Sequence, residues 1–174
     1  GKERLVWHEY DFKSLFDKVL EGIKVDKRVF YFAKIKEHEK SVDKSKQLIE
    51  EQSLLKTHLE KQGFEVILRG RVRGQVELSN GKEVLVFREK GVDVKIAVDM
   101  VSLSCDKKIK EIILCSSDSD LQPAIEEVKR RKVGCIYVGF EVNPNKGLSY
   151  TTKRTILIRN SEVMEFQAKQ NKLI

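Results

Sequence analysis

The chain has 174 residues, 40% hydrophobic and 35% charged, enough for one domain with a sizeable core. No apolar run approaches the ~20 residues of a membrane-spanning helix, and no signal-peptide pattern opens the chain, so a water-soluble cytoplasmic protein with no membrane partner is expected. The formal net charge of +7 attracts polyanions, nucleic acid being the commonest, although many basic proteins bind none.

Cys105, Cys115 and Cys135 are odd in number and lie in or beside apolar segments. They form neither a disulfide framework nor a CxxC metal knuckle. Buried free thiols in a reducing compartment are expected.

In chain order, "YDFKSLFDKVL" (residues 10–20) places Phe12, Leu15, Phe16 and Val19 at helical spacing. "KRVFYFAKI" (27–35) is aromatic and β-branched, a buried strand. A helix is expected over 42–62, with Leu48, Leu55 and Leu59 on one side and Gly63 as its stop. "FEVILRGRV" (64–72) is the next strand. "VELSNGKEVLVF" (76–87) is a hairpin about Asn80-Gly81. Val94, Ala97, Val98 and Val101 then mark a helix, "EIILCSS" a strand, 121–131 a helix and "VGCIYVGF" (133–140) a strand. "NPNKG" (143–147) reads as a loop, "EVMEF" as a weak strand, and 167–174 as a polar tail. Neither an internal repeat nor an interdomain linker is visible.

Strands alternate with helices, and the later strands are continuously apolar, as in a parallel α/β sheet covered on both faces. Ligands of such sheets sit beyond the carboxyl ends of the strands. "ILCSSDSDLQPAI" (113–125) brings Asp118 to one such end and Asp120 to the start of the next helix. Two like charges this close repel, so a cation, a helix N-terminus or solvent must offset them. Asp120 has a structural explanation as N-cap of a helix starting at Leu121, with Pro123 in the first turn. Asp118, among Ser116, Ser117 and Ser119, has no such explanation. A further acid, Asp93, follows Gly91 and opens a helix, where it too can cap. Asp99 lies about 120° around that helix from Asp93, so the two do not share a face, and Asp99 is expected to be solvated or a structural hydrogen-bond partner.

Together, "KGVDVKIAVDM" and "ILCSSDSDLQPAIEEVKRRKVGCIYVG" resemble the NYN domain of the PIN-like nuclease superfamily, and its LabA-type branch in particular. The shared pattern is K-G-x-D-V-x-[IL]-A-x-D followed by [ST]-x-D-[SG]-D-[FL]-x-P, and the resemblance extends over about residues 10–166. It implies a PIN-like three-layer α/β/α fold with a central, mainly parallel sheet and a β-hairpin insertion, in a single domain over 1–174. It also implies a metal-dependent endoribonuclease, with Asp93, Asp118 and Asp120 as catalytic residues and as ligands of Mg2+ or Mn2+. Asp99 matches a further acid of the first motif. Hard cations prefer oxygen ligands, and Mg2+ usually takes one or two carboxylates plus water and phosphate.

The family begins with a central strand ending in Asp (I-D-x-x-N), which "GKERLVWHEYDF" does not supply. That strand is expected upstream of residue 1. An acid in the last helix is matched only loosely, by Glu162.

The expected partner is single-stranded RNA, with a homodimer as an oligomeric option. Arg69, Arg71 and Arg73 alternate along "LRGRVRG", which puts them on one side of a strand. Arg88, Lys90, Lys153, Arg154 and Arg159 are further candidates to neutralise phosphates near the carboxylates; a solvated surface is the competing explanation. Residues 129–132 end a helix, where cations favour the dipole, and are assigned to structure. Trp7 and Tyr10 are assigned to the core before base stacking. Two other functions compete: an RNA-binding NYN module without turnover, and a phosphatase resembling the haloacid dehalogenases. The latter family usually has Thr or Val where Gln122 stands, and its D-x-D opens the domain.

Overall fold

A computed structural model describes residues 6–37, 42–79 and 81–167. Its elements are α1 (Phe12–Val19), β1 (Val29–Lys34), α2 (Val42–Lys61), β2 (Glu65–Ser79), β3 (Lys82–Lys90), α3 (Val92–Cys105), β4 (Glu111–Cys115), α4 (Gln122–Arg130), β5 (Gly134–Phe140), α5 (Lys146–Thr151), β6 (Arg154–Ile158) and α6 (Asn160–Glu165). The α/β class follows the sequence expectation. The sheet does not: the described strands form two three-stranded sheets, β1-β2-β3 and β4-β5-β6. The first is mixed, because β1 pairs β2 in parallel while β2 and β3 form the antiparallel hairpin. Two compact units result, one from Gly22–Val92 with the segment up to Lys13, the other from Ser14–Glu21 and Asp93–Gln167.

In the first unit, Phe30 on β1 meets Phe12 at 5.5 Å and Phe64 at 5.1 Å between ring centroids, edge to face. Tyr10 and Leu59 are fully enclosed. The Tyr10 carbonyl accepts hydrogen bonds from the His58 ring at 2.7 Å and from Gln62 at 2.9 Å, tying the N-terminal segment to α2. Trp7 remains half exposed, so only Tyr10 takes the expected core position.

The strand expected at 64–72 and the first arm of the hairpin expected at 76–87 are one long strand, β2, and the second arm is β3. Ser79 pairs Lys82, which confirms the two-residue turn, of which Asn80 lies outside the described residues. Between Phe32 and Lys34 the register slips, so that Phe32 faces Leu68 but Lys34 faces Arg71. Gly70 takes up the extra residue at φ +74°, and a Cβ there would sit 2.3 Å from the Lys90 carbonyl oxygen. Only glycine tolerates both that φ and that approach.

In the second unit, the parallel ladders β4–β5 and β5–β6 run in sequence order. β5 is buried at every position from Cys135 to Gly139, as a strand covered on both faces must be. Its Cys135 and Tyr137 pack with Leu114, with Ile125 and Val128 of α4, with Met100 of α3 and with Leu148 of α5. Val94 and Val98, read as part of the apolar face of α3, are instead 66% and 52% exposed.

Three expectations need correction. "EVMEF" is helical: α6 starts at Asn160, and Glu162 in its first turn accepts the Arg159 N–H at 2.8 Å. β6 was not foreseen, and "NPNKG" ends in the first residues of α5. Cys135 is buried and Cys105 exposed; Cys115 is exposed as a residue, yet burial pushes its thiol up to about 11, as it does that of Cys135. The polar tail beyond Gln167 lies outside the described residues.

Candidate active site

β4 ends at Cys115 and delivers Ser116, Ser117 and Asp118 beyond its carboxyl end. The Ser116 hydroxyl accepts the Asp118 N–H at 3.1 Å, which bends the chain out of the strand. Asp118 is extended (φ −93°, ψ 115°) and caps a single 3-10 turn, Ser119–Leu121. Its Oδ1 accepts the Asp120 N–H at 2.8 Å. The cap expected of Asp120 thus belongs to Asp118, because the helical turn starts two residues earlier than the sequence suggests. Asp120 is exposed, and α4 continues from the turn without a side-chain cap of its own, with proline at its start.

Asp93 lies in the first turn of α3 and is half-buried. Its carboxyl is hydrogen-bonded to that of Asp118 and lies in the field of Asp120. The Asp93 carboxyl is raised above the ordinary aspartate range, first by burial, then by the charge of Asp118 and the hydrogen bond between the two acids. Asp120 adds to the rise, and a backbone hydrogen bond at Asp93 itself opposes it. Two carboxyl groups this close disfavour each other's charged form, which is the sense of the shift at Asp93. The three acids of the two motifs therefore gather at one place. Asp99 is otherwise engaged, ion-paired with Lys95 one turn back.

Asn145 was missed in the sequence. Its Nδ2 donates to the Ser117 carbonyl at 2.8 Å, and its Oδ1 accepts the Leu148 N–H at 2.9 Å, capping α5. Its own N–H donates to the buried Tyr137 hydroxyl at 3.0 Å. One side chain thereby pins the loop after β4 to the loop after β5. An Asn shortly before a helix is a cap signal, but its reach to Ser117 exists only in the fold.

The basic candidates divide. Arg69 and Arg71 are exposed on β2, but the bulge at Gly70 interrupts the two-residue alternation that was to align them. The Arg73 side chain lies outside the described residues. Arg88 is ion-paired with Glu77 across the hairpin at 2.7 Å. Lys90 is exposed at the end of β3, and Lys153 and Arg154 are exposed where β6 begins. These last two stand at the starting end of their strand, whereas Asp118 follows the finishing end of β4. Arg159, also exposed, precedes α6.

Oxygen donors alone suit a hard cation such as Mg2+ or Mn2+, and the repulsion within the Asp93–Asp118 pair is what such an ion would relieve. Among the described residues no group of three or more His, Cys, Asp or Glu side chains is arranged to hold a metal. Among the described residues, no helix is long and apolar enough to cross a membrane.

In this α/β chain the acids gather beyond the end of a parallel strand, where open α/β sheets bind their ligands. The NYN domain model matches residues 2–158; the chain belongs to the NYN domain family, within the PIN-like superfamily. It is similar to a solved structure of a protein of unknown function, VPA0982, from Vibrio parahaemolyticus RIMD 2210633. The two share 18% identity over 87% of this chain and 80% of that chain, with a TM-score of 0.58, a likeness of fold alone. No curated protein matches the chain.

Proposed function

We propose that the chain is a metal-dependent endoribonuclease that hydrolyses phosphodiester bonds of single-stranded RNA at Asp93, Asp118 and Asp120. The observation that carries this proposal is the convergence of Asp93, Asp118 and Asp120, close enough that Asp118 and Asp120 both raise the Asp93 carboxyl. Acids that repel each other in a half-buried place cost stability and call for a function. Family membership supports the same conclusion.

In this proposal Asp93 and Asp118 hold Mg2+ or Mn2+, with Asp120 beside them, while Asp99 stays paired with Lys95. The bound ion would neutralise charge on the scissile phosphate and lower the pKa of a bound water. The protein's own part is positional. Asp118 cannot swing, because its Oδ1 is held by the Asp120 N–H and its backbone by Ser116. Asn145 fixes the Ser117 carbonyl next to it. Arg69, Arg71, Arg73, Arg88, Lys90, Lys153 and Arg154 would contact RNA phosphates.

A second proposal, an RNA-binding NYN module without turnover, is favoured by one observation. Asp118 already has structural work, capping the 3-10 turn and bonding Asp93. Incubating labelled single-stranded RNA with the protein, with and without Mn2+, separates the two. Metal-dependent cleavage supports the nuclease; binding without cleavage supports the module.

A further inference from the structure

The loops that lead into β4 and β5 are basic. The segment between α3 and β4 holds Lys107, Lys108 and Lys110, and the one between α4 and β5 holds Arg131 and Lys132, all exposed. Adjacent strands bring the two loops side by side: Glu111 pairs Gly134, and the Gly134 N–H donates to the Lys110 carbonyl at 2.9 Å. Acids neutralise only part of this charge. Asp106 pairs Lys108 at 3.0 Å, and Glu127 pairs Arg130 and Arg131. Glu111 is exposed nearby. Lys107, Lys110 and Lys132 have no ion pair among the described residues.

Two of these lysines occupy backbone positions that suit lysine poorly. Lys107 and Lys132 have φ of 54° and 65°, and they are the only described non-glycine residues with positive φ. Each ends a helix in a left-handed turn. The Lys108 N–H reaches back to the Leu103 carbonyl, and the Val133 N–H to the Val128 carbonyl. Glycine is the favoured residue there. At the equivalent turn after α2 the chain does use glycine: Gly63 has φ +86°, and the Phe64 N–H reaches back to the Leu59 carbonyl. Lysine thus stands where glycine fits better, at two adjacent loops of one sheet end. Residues held in disfavoured conformations point to function when the outlier is observed first.

We infer that the loops entering β4 and β5 form a second RNA-contacting surface, at the opposite end of the β4–β6 sheet from Asp118. The five residues of β4 separate the two places by about 16 Å at ~3.3 Å per residue. Lys107, Lys110 and Lys132 are therefore away from the acids, and this surface positions a strand rather than cleaving it. The inference rests on RNA being the ligand of the proposed nuclease, but not on its cleavage.

The test uses the full chain without divalent ions and a labelled single-stranded oligouridylate, with affinity followed against salt. The variant Lys107→Gly/Lys132→Gly removes both charges and relaxes both turns. It should melt no lower than the parent, yet bind about tenfold more weakly at low salt, with the log–log salt slope reduced by about 1.4, ~0.7 for each lost phosphate contact. Lys46→Ala/Lys61→Ala, which removes the same charge from the exposed side of α2, should leave the slope unchanged. An unaltered slope and affinity in the glycine variant, or equal losses in both variants, would overturn the inference and leave the nuclease proposal standing. No RNA binding by the parent would overturn both. Binding that follows the expected pattern, with no cleavage once Mn2+ is added, would support the inference and overturn the nuclease alone.

Discussion

Asp93, in the first turn of α3, and Asp118, three residues past the end of β4, meet through their carboxyl groups. Burial and the nearby charge of Asp118 both disfavour the charged form of Asp93 and raise its carboxyl above the ordinary aspartate range.

The pH dependence of stability follows from this pair. The folded pKa of Asp93 lies above its unfolded value, so the folded state binds more protons as pH climbs through the window between them. Its stabilising contribution is fully present below the unfolded pKa and is lost as pH rises through the folded one. Melting temperatures without divalent ions should therefore carry a component that falls with pH from about pH 4 upward. Asp93→Asn should remove that component and flatten the profile; an unchanged profile would show that Asp93 is not the titrating group.

Capping gives the second expectation. Asp118→Ala should cost about 1 kcal/mol in urea unfolding, since the Asp120 N–H loses its acceptor, while Asp118→Asn should keep most of the cap. Asp120→Ala should change stability by less than about 0.5 kcal/mol, because that side chain is exposed. A larger loss for Asp120→Ala than for Asp118→Ala would return the cap to Asp120.

Gly63 and Gly70 both have positive φ, but only at Gly70 would a Cβ strike backbone. Gly63→Ala should cost roughly 1 kcal/mol for the conformation alone. Gly70→Ala should cost clearly more, because β2 and the Lys90 carbonyl must separate. Denaturant midpoints of the two variants, measured side by side, check the difference.

The elements that the sequence revealed are those with their own periodic signal. Phe12, Leu15, Phe16 and Val19 announce α1, and the unbroken apolar run of β5 announces a buried parallel strand. β6 escaped because "RTILI" is short and behind basic residues; its pairing with β5 makes it a strand. "EVMEF" fits either period, and the Arg159 N–H donating to the Glu162 side chain caps it as a helix. The site's acids were legible from their two motifs. Their mutual hydrogen bond, the reach of Asn145 to Ser117 and the transfer of the cap to Asp118 were not, since each depends on segments that only the fold brings together. Asp99, read as solvated or a structural hydrogen-bond partner, takes the second role with Lys95 at the spacing of the i,i+4 rule.

The central claim is that Asp93 and Asp118 exist to hold a metal for RNA cleavage. Its most direct test is Mn2+-dependent cleavage of a labelled single-stranded RNA by the parent chain and by Asp118→Asn, each checked for folding by its melting curve. Asparagine retains the cap, so lost activity in that variant cannot be blamed on a broken turn. The expected result is cleavage by the parent only with Mn2+ or Mg2+, a rise in its melting temperature with the metal, and loss of both in Asp118→Asn. Cleavage by Asp118→Asn at the parent's rate, or metal that neither stabilises the parent nor supports its cleavage, would contradict the account.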